Sequence, residues 1–340
     1  MERSALRKVT LADVARHAGV SSATASKAIN GRTDVAASTR SRVQAAIHAT
    51  GYAPPHGVAP QPRRSVEFLV DKLTSPYAME ILRGLTIAAE EADIDVVVSR
   101  FRRPGDSSDA DVIDRLSEAD RMGAVIVTAE VTDTTYAALA ASRTPVVFVD
   151  PLRVDDEPVV SVGSTNWIGG RSATEYIIGL GHTRLAMIGG PAASFSAMAR
   201  VDGFRSAAGA AGLTVPTEFI AHARFDHDEA QAVATGWLSR DDRPTAILAS
   251  SDAQALGVLE AARLAGVTVP DQLSVVGYDD TYVAAWAHPP LTSVFQPLQD
   301  IGRVCLRTLE QLAAGTPLDS HHIELATRLV VRESTAPPPD

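Results

Sequence analysis

Apolar residues are spaced differently before and after residue 65. Residues 9–50 read as three short helices. Thr10 and Asp13 form a capping box, and Val14, Ala15 and Ala18 follow at helical spacing. Gly19 and Val20 break this helix. Ser21 caps a second helix that runs to about Ile29, and a third, from Asp34 to Ala49, carries Val43, Ala46 and Ile47 on one face. Pro54, Pro55, Gly57, Pro60 and Pro62 make residues 54–65 a linker, because proline fixes φ and removes donors. From residue 66 onward, β-branched runs at 66–70, 95–99, 123–127, 145–149, 159–163, 184–188, 219–223, 246–250 and 273–277 alternate with amphipathic stretches. Those stretches lie at 77–92, 109–121, 133–141, 167–180, 198–211, 228–239 and 253–265. The alternation predicts an α/β body of parallel sheets with helices on both faces, in two half-chains of roughly 66–160 and 161–290. Strand composition returns at 321–332. The domains are therefore 1–53, the linker 54–65 and the body 66–340.

Charge divides along the same boundary. The first 64 residues carry ten Lys or Arg against three Asp or Glu, whereas the rest carries 21 against 38. A basic head on an acidic body, within an overall net charge of −10, directs a polyanion to the head alone. No run approaches the ~18–20 apolar residues of a bilayer span, and Met1–Lys8 has no apolar signal region. A cytoplasmic protein with no membrane partner is expected. The one cysteine, Cys305, sits among Ile301, Val304, Leu306 and Leu309 and reads as core. It excludes an intrachain disulfide and a cysteine-based zinc site.

Enzyme signatures are missing. The stretch Gly179 to Arg184 is not a dinucleotide fingerprint and precedes a strand rather than following one. There is no P-loop and no nucleophile elbow around Ser194 or Ser196, and His321 and His322 lack partners at metal-ligand spacing. No enzyme activity, cofactor or metal is expected.

Residues 10–30, with one helix, a glycine turn and a second helix of small or basic outward residues, have the form of a helix-turn-helix. Thr10 to Ala15, Val20 to Lys27 and Gly51-Tyr52-Ala53-Pro54 resemble the headpiece of LacI/GalR-type transcriptional regulators. The resemblance continues in order through Leu180-Gly181-His182, Ile188 to Pro191, Arg200-Val201-Asp202-Gly203-Phe204, Gly277 to Asp280, Pro290 to Val294 and Gln296-Pro297. It implies a two-lobed effector domain like that of periplasmic binding proteins. It also implies a regulator, most simply a repressor of carbohydrate-utilisation genes, acting as a homodimer on a near-palindromic double-stranded operator. By the same resemblance Ser22, Ala23 and Lys27 take the base-reading positions. Lys27 suits guanine O6 or N7, and Ala23 a thymine methyl. Ser21, Thr24, Ser26 and Asn30 suit phosphates, and Thr10 is counted with this DNA-contacting set.

Two departures from the family pattern bear on DNA binding. Many relatives have Arg in place of Lys27 and Val in place of Ala25, so an operator preference does not carry over. The linker has no leucine where the family places a minor-groove wedge. Arg63 and Arg64 either enter a narrow minor groove or belong to a solvated linker.

In the body, the resemblance places effector contacts at Tyr77, Ser196, Arg200, Phe225, Ser251, Asp252, Asp279 and Gln296, near strand ends. Guanidinium and carboxylate groups there suit vicinal hydroxyls, and an aromatic face suits a sugar ring. Trp167 and Trp286 are added as stacking candidates. A mono- or oligosaccharide effector is expected, with xylo- or gluco-oligosaccharides suggested by Asn166 and the tryptophans. A purine effector and, in a different class, a sugar-transport binding protein are the alternatives.

Overall fold

A computed structural model describes residues 9–29, 32, 35–52, 64–100, 116, 121–127, 139, 144–151 and 159–339. The predicted helices 109–121 and 133–141 lie almost wholly outside these residues, as do Asn30, Arg63 and most of the linker. The chain divides into two compact units, Met1–Arg63 and Arg64–Asp340.

The first unit contains α1 (Leu11–Ala18), α2 (Ser22–Ile29) and α3 (Ala37–Thr50). Thr10 donates from its backbone N–H and its hydroxyl to Asp13 Oδ2, at 3.0 and 2.7 Å. Gly19 ends α1 at φ +66°, a left-handed conformation that suits glycine and turns the chain into α2. Val14, Ala18, Ala28, Val43, Ala46 and Tyr52 close one small core. The alanines bring the helices close, so the outward face of α2 is left for other uses.

In the second unit the strands and helices are β1 (Ser65–Val70), α4 (Pro76–Glu91), β2 (Asp95–Arg100), β3 (Gly123–Val127), β4 (Val146–Val149), β5 (Ser161–Ser164), α5 (Asn166–Gly179), β6 (Leu185–Gly189), α6 (Phe195–Ala210), β7 (Ile220–His222), α7 (His227–Leu238), β8 (Ala246–Ala249), α8 (Asp252–Leu264), β9 (Ser274–Asp279), α9 (Tyr282–Trp286), β10 (Thr292–Phe295), α10 (Leu298–Ala313), β11 (His322–Leu325) and β12 (Arg328–Val330). One sheet has the order β2-β1-β3-β4-β5-β11 with all pairs parallel. The other has the order β7-β6-β8-β9-β10-β12, with an antiparallel edge at β12.

The predicted doubly wound α/β architecture is present, but the lobes are not contiguous half-chains. The strand 161–164 completes the first sheet, β11 joins it from the C-terminus, and α10 packs on α4 in the same lobe. The chain therefore passes between lobes three times, after β5, β10 and β11. Side chains tie these crossovers together: Thr165 and Thr327 hydroxyls lie 2.9 Å apart, and Ser164 donates to Gln296 Oε1. The amphipathic helix α10 buries Ile301, Cys305 and Leu309 fully, in keeping with the core reading of Cys305.

Three helix pairs are held at backbone contact by glycine. A Cβ on Gly84 or Gly302 would meet Gln299 O at 1.9 Å or Ile81 O at 2.2 Å, across α4 and α10. Gly170 and Gly203 play the same part between α5 and α6, and Gly257 between α8 and α7. Backbone cannot give way as a flexible side chain can. Gly302→Ala should destabilise the body by about 1–3 kcal/mol in urea unfolding. An unchanged midpoint would show that the two helices can separate freely.

Candidate effector cavity and DNA-reading helix

Four helices of the body open onto one cavity of ≈ 290 Å³. Ser75 caps α4, with Pro76 at its first position. Ser194 caps α6, Asp226 caps α7 and Ser251 caps α8. These N-termini carry partial positive charge, which favours oxygen-rich neighbours. The strands β4 and β9 end at the same place and deliver Asp150 and Asp279 to the cavity wall. Both residues have left-handed backbones, φ +43° and +110°. Such conformations cost about 1–3 kcal/mol and concentrate at functional sites.

Arg200 lies at the centre of the site. Its guanidinium is fully enclosed, 3.8 Å from Asp279 Oδ1 on its own lobe and 3.9 Å from Asp150 Oδ2 on the other. It donates to Asn166 Oδ1 at 2.8 Å and to Ser250 O at 2.5 Å. The Tyr278 ring lies 3.9 Å beneath it and the Phe225 ring 5.8 Å away. Burial opposes the charge, but Tyr278, Asp279 and Asp150 outweigh it, so Arg200 stays protonated above its ordinary range. Burial raises Asp150 and Asp279 above the usual carboxylate values, with Arg200 pulling the other way. Tyr77 donates to Asp150 Oδ2 at 2.6 Å, and burial with this neighbouring carboxylate raises its pKa far above 10.0. Around Arg200 the wall thus presents a buried cation flanked by the Asp150 and Asp279 carboxyls, with hydroxyls and aromatic faces beside them. This set can bind an uncharged polyol from several sides.

At the mouth, Lys72 from the first lobe lies 3.2 Å from Asp226 of the second. Asp226 also accepts from Asp228 and Glu229 N–H. Burial of Asp226 raises its pKa but is outweighed by Lys72 and those two N–H groups, so it lies below its ordinary value.

On the separate N-terminal unit, Ser22, Ala23 and Lys27 are exposed on α2, with Thr24 and Ser26 half-buried beside them. Ser21 accepts from Thr24 N–H at 3.1 Å and lies 2.8 Å from the Thr24 hydroxyl.

Residues 10–55 match the family described as bacterial regulatory proteins, lacI family, and residues 174–335 match a periplasmic binding protein-like domain. The transcriptional regulator MalR of Streptomyces coelicolor (strain ATCC BAA-471 / A3(2) / M145) is 31% identical over 347 residues, 97% of each chain. The chain belongs to the lacI family. Among solved structures, a complex of the regulator CelR with cellobiose has a TM-score of 0.74 at 32% identity, covering 96% of this chain and 99% of the other. A lac repressor dimer bound to operator and the anti-inducer ONPF has a TM-score of 0.79 at 27% identity, covering 97% and 100%. This LacI-family protein is a helix-turn-helix transcriptional regulator.

The predicted site residues do not all meet. Tyr77, Ser196, Arg200, Phe225, Ser251, Asp252 and Asp279 line the cavity. Gln296 does not line it: it is buried in a crossover, donating to Asp279 Oδ1 at 2.7 Å and accepting from Ser164. Trp286 lines neither cavity: it stands on α9, 77% exposed against the Tyr282 ring. Trp167 lines a second, adjoining cavity. Thr10 spends its hydroxyl on the cap of α1. Arg64 opens the second unit, donating to Ala92 O and facing Glu310 at 3.6 Å. The sequence reading passed over Asp150, whose Val-Asp-Pro setting at a strand end resembles an ordinary turn, and Lys72 and Asp226, which meet across 154 positions. Among the described residues no group of three His, Cys, Asp or Glu could hold a metal, and no helix is long and apolar enough to cross a membrane.

Asp252 supports the site from behind, accepting from Thr281 N–H, Thr281 hydroxyl and Ser293 hydroxyl at 2.7, 2.9 and 2.6 Å. Burial nevertheless raises its pKa from 3.8 to about 7. The folded chain then holds this proton more tightly than the unfolded one. Its contribution to stability therefore falls as pH rises from 3.8 to about 7 and is level above that. Asp252→Asn removes the titration. In thermal unfolding, the variant's midpoint minus the wild-type midpoint should climb across that interval. A difference that does not change with pH would rule out the raised value.

Proposed function

We propose that this regulator is a repressor, not an enzyme, which acts in the cytoplasm on operator DNA. We further propose that an uncharged carbohydrate in the cavity between its lobes controls DNA binding. The observation that carries this reading is the buried Arg200, held between Asp150 and Asp279 from opposite lobes and flanked by Phe225. A polyol displacing part of that array makes different contacts in each lobe arrangement. Binding then shifts the population of lobe arrangements by as much as its differential affinity allows. The cellobiose held by CelR and the operator held by the lac repressor dimer support the two halves of the reading.

On DNA, the exposed face of α2 suits the major groove: Ser22, Ala23 and Lys27 read bases, and Ser21, Thr24 and Ser26 hold the backbone. One such helix reads half a site, so a homodimer on a near-palindrome follows. Exposed Ile87 on α4, with Tyr282 and Trp286 on α9, offers apolar surface for the second copy.

Thermal unfolding of the full chain against mono- and oligosaccharides and purines tests the effector class. A ligand at about 100 times its Kd adds about 2.7 kcal/mol and raises the midpoint. A rise with purines alone would discard the carbohydrate while keeping the regulator. Lys27→Ala should lower operator affinity by about 1–3 kcal/mol without changing saccharide binding. Phe225→Ala should do the converse, and so should Arg200→Ala where it still folds. Release of DNA by saccharide that survives both pocket variants would place the effector elsewhere.

A further inference from the structure

A second cavity of ≈ 480 Å³ adjoins the first, and Asp150 and Ser196 line both. It too lies between the lobes. One wall is polar and comes from the first lobe: Ser161 on β5 and His322 on β11, whose Oγ and Nδ1 are 2.9 Å apart, with Glu324 beyond them. The other wall is apolar and comes from the first turns of α5 and α6. There Trp167 is 40% exposed, Ile168 51% and Phe195 47%. Arg171 lies 5.4 Å from the indole centroid and holds the ring in place.

Large aromatic side chains are rarely left this open inside a cleft without a partner. One apolar wall facing one hydroxyl- and carboxylate-bearing wall matches the two faces of a pyranose, C–H on one side and hydroxyls around the edge. The first cavity already has its own aromatic platform in Phe225. At ≈ 290 Å³ it lies at the small end of the ~300–1,000 Å³ usual for ligand sites. Gly163 lines the second cavity close to the shared Asp150, where an added Cβ would meet Asp150 Oδ1 at 2.6 Å.

We propose that the second cavity is a separate sugar subsite with Trp167 as its stacking platform, so that the effector is a di- or longer saccharide. Its terminal ring sits against Arg200 and Phe225, and the next ring lies on the indole. This rests on the carbohydrate reading above and extends it from a sugar to a chain of sugars.

The test is calorimetric titration of the full-length protein with matched sugars: glucose against cellobiose and maltose, xylose against xylobiose, galactose against lactose. One disaccharide should bind roughly tenfold or more tighter than its monosaccharide. Trp167→Ala should erase that gain and leave the monosaccharide affinity unchanged, and Trp167→Phe should restore part of it. The substitution is at an exposed side chain and leaves the Trp167 carbonyl that packs on Gly203 in place. Equal affinities for the members of every pair would overturn the subsite while leaving the carbohydrate reading intact. So would a Trp167→Ala loss shared equally by mono- and disaccharide. Binding of none of these sugars would remove both readings.

Discussion

The guanidinium of Arg200 is a charge taken out of water, and the body is arranged around compensating it. An uncompensated buried charge costs several kcal/mol, and removing one partner of a buried pair costs about 3–5 kcal/mol. The partners that offset this come from separate places: Asp279 ends β9, Ser250 follows β8, Asn166 opens α5, and Asp150 ends β4 in the other lobe. Lobe orientation and cavity electrostatics are therefore one interaction. A hydroxyl-bearing ligand cannot enter this array without changing how strongly the lobes attract each other, which provides coupling without a long chain of intermediates.

Backbone geometry fixes where that charge sits. Gly170 on α5 meets the carbonyl of Arg200, and Gly203 on α6 meets the carbonyl of Trp167. The two helices are thus locked in register at the turn that carries the arginine. One contact aims Arg200 at the first cavity and sets Trp167 at the second. The left-handed backbones of Asp150 and Asp279 stand at the ends of β4 and β9, two strands interior to their sheets.

Much of this was legible in the sequence. The helix-turn-helix shows in its caps and its glycine turn, the sheets in the alternation of short β-branched runs with amphipathic stretches, and the Arg200–Gly203 spacing in one helical turn. What was not legible was long-range pairing. Strands of both lobes carry the same buried pattern, so nothing local assigns 161–164 to the first sheet. The three crossovers are fixed by contacts such as Thr165 with Thr327. Trp286 lies outside both cavities for a related reason: a tryptophan in a loop carries no sign of which way its helix will face. Asp150 and the Lys72–Asp226 pair were missed because each gains its meaning only from a partner far along the chain.

Among the described residues two ion pairs bridge the lobes, and they differ in kind. Lys72 and Asp226 at the mouth are 39% and 28% exposed, so salt screens them and their worth lies near the ~0–1 kcal/mol of surface pairs. Arg200 and Asp150 at the floor are buried, where screening is weak and the loss of a partner is costly. The mouth pair is the cheaper of the two to break. Discrimination between lobe arrangements has to come from the floor, because only there is the energy large enough to move a population by more than a small factor. The floor pair outweighs the mouth pair, and the order follows from burial alone.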